Sequence, residues 1–127
     1  MTSVLLDAGA LVAVERRDRT LIANLKAAGE AGARLRTNAA VLGQVWRGGS
    51  GRQATLAKFL QTVDVLPVDI ELGRKAGMLL GMAGVSDVVD ASLVAMANHG
   101  DRIVTSDVDD LRRLASHAGH RVLVSSY

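Results

Sequence analysis

An α/β fold of three layers, with a central, mostly parallel five-stranded sheet flanked by helices, is what this sequence predicts. Short apolar runs alternate with longer segments of helical periodicity, which is the pattern of βα units around a parallel sheet. The 127 residues suit a single domain spanning 1–127, and no shift in composition marks a second. Hydrophobic residues make up 49% of the chain but aromatic ones only 2%, so Leu, Val, Ala, Met and Ile must fill the core.

The elements follow in order. A first strand at 4–6 is the apolar VLL, and DAGALVAVE opens a helix over 8–15. A second helix over 19–28 comes after the basic turn RRDR, with Gly29 and Gly32 where it should stop. The second strand, 34–37, leads into a helix over 39–46, after which Gly48, Gly49 and Gly51 mark a turn. A helix over 53–62 precedes the third strand, 63–68, whose end is compromised by Pro67 because proline donates nothing to a ladder. Helices over 71–82 and 88–98 are separated by Gly84, and Gly100 stands before the fourth strand, 102–105. A helix over 108–118 and a last strand at 121–124 complete the chain.

Composition narrows the chemistry. With no cysteine, disulfides, thiolate nucleophiles and Cys-ligated zinc are excluded, leaving oxygen and imidazole as metal ligands. That suits a reducing cytoplasm. No basic leader precedes the first apolar residues, and Asp7 and Glu15 interrupt any run long enough to span a bilayer, so a soluble, unprocessed, cytoplasmic protein is expected. A net charge of +2 from 15 basic and 13 acidic residues says little, but the distribution says more. Arg16, Arg17 and Arg19 cluster, as do Arg47 and Arg52, while aspartates concentrate between Asp87 and Asp110.

The carboxyl ends of parallel strands share one edge, and ligands bind in the crevice outside it. Asp7 directly follows the first strand, and Asp107 follows the fourth in IVTSD. Asp87 and Asp90 are three apart at the start of an Ala-rich helix, on one side of its first turn. Carboxylates brought that close repel one another unless a cation sits between them. Magnesium or manganese, which prefer oxygen ligands, would supply it, acidify a water for attack on a phosphodiester and offset charge on the departing oxygen. A blander account stands beside this one: Asp87 and Asp107 would serve equally as helix N-caps, and Asp109 and Asp110 as solvated acids.

DAGALVAVERRD, TNAAVLGQVWRGG, DVVDASLVAMA and IVTSDVDDLRRL occur in an order and spacing that resembles PIN domains of the VapC toxin type, over nearly the whole chain. The resemblance implies a PIN-like fold and a metal-dependent endoribonuclease. It also implies a toxin–antitoxin pair, with a small VapB antitoxin as protein partner, RNA as substrate and a homodimer as the assembly. It carries catalytic and metal-binding roles onto Asp7, Asp90 and Asp107, with Asp87 and Asp110 as outer members, and site-lining roles onto Gln44 and Thr105. Gln44 departs from the pattern, since many relatives carry Glu there; an amide oxygen still coordinates, but one negative charge is gone. Either Asp87 or Asp110 makes up that charge, the reading favoured here, or the protein is a weakened RNA- or antitoxin-binding module.

Arg16, Arg47 and Arg52 are candidate contacts for RNA phosphates, against the plainer reading of a solvated basic surface. Trp46 is read as packing rather than base stacking. His99, His117 and His120 lack ligand spacing and are assigned no role. Met78, Leu79, Leu80 and Met82 are expected in the core or on a dimer face. GGSGRQ lacks the GK[ST] of a phosphate loop. A phosphotransfer receiver is disfavoured because Asp7 has no acidic neighbour at the first strand and no lysine follows the last one.

Overall fold

A computed structural model describes residues 2–127. Its five strands are β1 (Ser3–Leu6), β2 (Arg34–Asn38), β3 (Asp64–Leu66), β4 (Arg102–Thr105) and β5 (Leu123–Ser126). All pair in parallel, in the order β3-β2-β1-β4-β5. The chain therefore starts at the centre, builds outward to one edge, then returns to the centre and builds toward the other. Strand order reverses between β1 and β4, where Leu5 aligns with Ile103 and Leu6 with Val104.

Seven helices connect the strands: α1 (Ala8–Glu15), α2 (Arg19–Glu30), α3 (Ala39–Val45), α4 (Ala54–Leu60), α5 (Ile70–Ala83), α6 (Val88–Met96) and α7 (Val108–Ala115). Right-handed crossovers in opposite directions place α1 to α4 on one face of the sheet and α5 to α7 on the other. Helix contacts follow that division: α1 touches α2, α3 and α4, while α5, α6 and α7 touch one another. No single helix among the described residues is long and apolar enough to cross a membrane.

The core is aliphatic, as the composition requires. Leu5, Leu6, Leu11, Leu56, Leu93, Ile103, Leu111 and Leu114 are fully buried, while Trp46 is exposed and Phe59 only packs against the core's edge. Leu79 belongs to the core and Leu80 lines it, but Met78 and Met82 point outward.

Several boundaries differ from the sequence reading. β3 ends at Leu66 because Pro67 stops the ladder. The helix expected from residue 53 is preceded by a 3₁₀ turn, Gly51–Gln53, and β5 begins at Leu123 rather than 121. Gly29 does not end α2 but lies in its last turn, whereas Gly84 does end α5 in a left-handed conformation.

Two polar ties align the carboxyl edge of the sheet. Thr37 Oγ1 donates to the carbonyl of Leu6 at 2.8 Å, joining the ends of β1 and β2. Asn38 accepts from the amides of Ala40 and Val41, capping α3, and its Nδ2 donates to Ser92 Oγ at 2.9 Å. Ser92 Oγ donates in turn to the carbonyl of Val89 at 2.6 Å, so the first turns of α6 are held against β2. At the opposite edge the buried Asp101 accepts from the amides of Ser3 and Asn98 and lies 3.9 Å from Arg36.

Candidate functional site

The carboxyl ends of β1 and β4 lie side by side at the reversal of strand order, the position where open α/β sheets hold their ligands. Asp7 ends β1 and is buried. Its Oδ1 accepts from the amide of Ala10, which makes it the N-cap of α1, and its Oδ2 accepts from Thr105 Oγ1. The same hydroxyl accepts from the amide of Asp107 at 2.8 Å. One fully buried threonine side chain thus couples the acid after β1 to the acid after β4. A carboxylate has about four lone-pair directions, so two bonds leave Asp7 with unused acceptor capacity.

Gly9 lets the two loops approach each other. A Cβ at that position would lie 2.3 Å from Ser106 Oγ, 3.0 Å from Ser106 Cβ and 3.4 Å from Asp7 Oδ1. The carbonyl of Gly9 accepts from the Tyr127 hydroxyl at 3.2 Å, tying the last residue to the start of α1.

The third element is α6. Asp87 caps it, accepting from the amides of Val89 and Asp90 at 2.9 and 3.1 Å, and is exposed. Asp90, one turn on, is partly buried, and no donor to its carboxylate is found among the described residues. Burial, and then the charges of Asp87, Asp7, Asp107 and Asp110, push its carboxyl up from 3.8 to about 7. Four other acids are thus near enough for their charges to be felt at Asp90.

Capping accounts for part of this pattern. Asp7, Asp87 and Asp107 are the N-caps of α1, α6 and α7, a role that needs no metal. It leaves Asp90 unexplained, for that side chain caps nothing and sits where its charge is least welcome. Among the described residues no three acids or histidines are drawn tightly enough to form a ready metal cage. Capping engages one oxygen of each of Asp7, Asp87 and Asp107, and Asp7 spends its other oxygen on Thr105. As a donor set, five carboxylates with neither thiolate nor imidazole fit a hard divalent ion such as Mg2+ or Mn2+.

The remaining candidates fall into two groups. Gln44 is exposed on the last turn of α3, with no side-chain hydrogen bond among the described residues. Arg16, at the C-cap of α1, and Arg52, in the 3₁₀ turn, are exposed. Arg47 is exposed but folds back on α3, its guanidinium donating to the carbonyls of Trp46, Gly43 and Gln44. Trp46 lies over Gly49, where a Cβ would meet its ring at 2.3 Å, but the ring stays exposed rather than joining the core. His99 Nδ1 accepts from the amide of Arg121 and His120 Nε2 lies 2.9 Å from the carbonyl of Ala97.

Asn38, Ser92 and Gln53 were not anticipated from the sequence. The first two orient α6, and the third is buried between α1 and α3, bonded to Glu15 and to the carbonyl of Val45. A cavity of about 660 Å3 lies away from the acids, between α2 and α4, on an apolar floor that includes Ile22, Leu25 and Phe59. The acidic edge of the sheet is the better candidate because its chemistry is distinctive.

No protein-family model matches the sequence, and no curated protein matches it. Solved structures do match, end to end. The fold is similar to that of a chain in VapBC2 from Rickettsia felis bound to a DNA fragment from its promoter, with a TM-score of 0.75, 13% identity and 99% of both chains covered. DNA-bound VapBC from Salmonella typhimurium matches with a TM-score of 0.71 at 17% identity, over 98% of both chains. VapBC-1 from nontypeable Haemophilus influenzae matches with a TM-score of 0.68 at 13% identity, also over 98% of both. At such identities the likeness establishes the architecture: an all-parallel sheet in the order 3-2-1-4-5 with flanking helices, the PIN-like fold that the motifs imply.

Proposed function

We propose that this chain is a divalent-metal-dependent endoribonuclease, the toxin of a VapBC-type toxin–antitoxin pair. The proposal is carried by Asp7 and Asp107 following neighbouring strands at the reversal of strand order, and by their charges, with those of Asp87 and Asp110, acting on Asp90. The shared fold supports the toxin assignment, since the similar chains come from VapBC complexes. A VapB-like antitoxin is accordingly the expected protein partner, and a homodimer the expected assembly.

Asp7, Asp90 and Asp107 would hold Mg2+ or Mn2+. Such an ion, when bound, supplies an acidified water and a counter-charge for the departing oxygen. The chain's own residues supply the placement. Thr105 fixes Asp7 and the start of α7 with one hydroxyl. Asn38 and Ser92 hold the helix that carries Asp90. Gln44 offers an uncharged amide on α3.

A second reading, a binding module with an impaired site, is favoured by Gln44 and by the open spacing of the acids. Cleavage of a structured RNA in Mn2+, with and without chelator, separates the two. The nuclease reading expects chelator-sensitive cleavage that falls by at least about a hundredfold in Asp7→Asn and Asp90→Asn. Asn at residue 7 keeps the helix cap, so loss there reports on charge rather than folding. Wild-type protein that binds the RNA but leaves it intact would establish the module instead.

A further inference from the structure

We infer that the arginines around the α1–α2 turn and the glycine turn after α3 form a second contact for the RNA backbone, built on the buried amide of Gln53 and distinct from the acids. This rests on the nuclease reading. Gln53 is 5% exposed. Its Nε2 donates to Glu15 Oε1 and to the carbonyl of Val45, each at 2.7 Å, and its Oε1 accepts from the amides of Arg47 at 2.7 Å and Gly49 at 3.3 Å. One side chain thereby ties the end of α1, the end of α3 and the glycine turn together.

Arginines gather around that knot. Arg16 follows Glu15, Arg52 precedes Gln53, and Arg47 is bonded to it through its backbone amide, with its guanidinium on the carbonyls at the end of α3. Arg17 joins them through Nε, which donates to Thr55 Oγ1 on α4 at 3.3 Å. All four are exposed, and the ion pairs found among the described residues involve none of them. Both neighbouring acids are committed elsewhere: Glu15 to Gln53, and Asp18 to the amide of Leu21 at 3.0 Å. Arg17 also has a φ of 61°, in the left-handed position after a helix that glycine ordinarily fills. The amides of Arg17 and Asp18 close the end of α1 on the carbonyls of Val14 and Ala13, and the turn they make leaves the Arg17 guanidinium at the surface.

The geometry suits a polyanion that continues into the acidic cleft. The eight residues of α1 run from Asp7 to the arginines, a distance of about 12 Å along the helix axis. A nucleic acid strand in a helix rises roughly 3.4 Å per phosphate, so a substrate held at both ends of α1 spans about four nucleotides. That favours an RNA of at least about four nucleotides over a dinucleotide. An acidic protein segment is the competing occupant. RNA is preferred because α1 leads from the arginines directly to the groups that would cut it.

The test measures binding of a fluorescein-labelled RNA hairpin by anisotropy, in chelator and over a KCl series. Arg16→Glu/Arg52→Glu is compared with wild type and with a control on α7, Arg112→Glu/Arg113→Glu, whose side chains are also exposed. The α1–α3 double variant should bind at least about tenfold more weakly and lose roughly 1.4–1.8 from the slope of log affinity against log salt, at about 0.7–0.9 per phosphate contact. The neutral single variants Arg16→Gln and Arg52→Gln should each lose about half of that slope change. Unchanged affinity and slope would overturn the contact, as would an equal loss in the α7 control or displacement of the hairpin by polyglutamate as readily as by unlabelled RNA. Cleavage does not enter this measurement. Wild-type protein that binds through the arginines but fails to cut in Mn2+ would sink the nuclease reading alone.

Discussion

Asp90 concentrates the electrostatics of the site. Its carboxyl, raised by burial and four neighbouring acids, titrates at about 7 in the folded protein against 3.8 ordinarily. Below about pH 4 both folded and unfolded chains hold the proton, and above about pH 7 both have lost it; between these, only the folded state keeps it. The stability of the metal-free protein therefore falls as pH rises through that window. Asp90→Asn is expected to stabilise the metal-free protein near pH 8 by on the order of 1–2 kcal/mol once solvent screening is allowed for, raising its thermal midpoint there and leaving it unchanged near pH 4. Equal midpoints near pH 8 would mean that the acids do not crowd Asp90. Gln44 is exposed, so a charge there costs folding little, and Gln44→Glu should tighten Mn2+ binding on the order of tenfold by calorimetry; unaltered affinity removes residue 44 from the site. The acids were legible in the sequence because a carboxylate directly after an apolar strand, or in the first turn of a helix, is a local signal. Asn38, Gln53 and Asp101 were not, because each acquires its role from a partner 54, 38 or 98 residues away.

At the level of elements, helix starts could be read more closely than helix ends. The expected starts at residues 8, 19, 39, 88 and 108 coincide with Ala8, Arg19, Ala39, Val88 and Val108. Each is preceded by an Asp or Asn whose side chain accepts from the first turn. Ends carry a weaker signal: Gly84 does stop α5, but α6 and α7 stop at Met96 and Ala115 rather than 98 and 118. What the pattern could not convey is how closely the starts of two helices meet. Gly9, in the first turn of α1, touches Ser106, just before α7. Gly9→Ala should therefore push the Ser106–Asp107 segment away and lower Mn2+-dependent cleavage by at least about tenfold. Ser106→Gly in the same chain removes both the hydroxyl and the Cβ that a methyl at residue 9 would strike, so the double variant should recover most of the loss. Failure of that rescue, with both variants folded, would place the damage elsewhere than in this contact.

The whole molecule does what none of its elements can, since the site exists only because the chain returns to its centre. Alternating strands and helices predict a parallel sheet, but they leave strand order open. The reversal between β1 and β4 follows from crossovers that double back, and it sets Leu6 against Val104 so that residues 7 and 107 become neighbours. A cation bound there would join β1, α6 and β4 in the folded state and find no comparable site in the unfolded chain. Mn2+ at about a hundred times its dissociation constant should then stabilise the protein by about 2.7 kcal/mol, or roughly ten degrees for a domain of this size. The gain should be larger near pH 8 than near pH 5, because at the lower pH the ion must first displace the proton that Asp90 retains. In Asp90→Asn/Asp107→Asn the shift should disappear at both values. A double variant still stabilised by Mn2+ as strongly as wild type would put the ion somewhere other than this cleft.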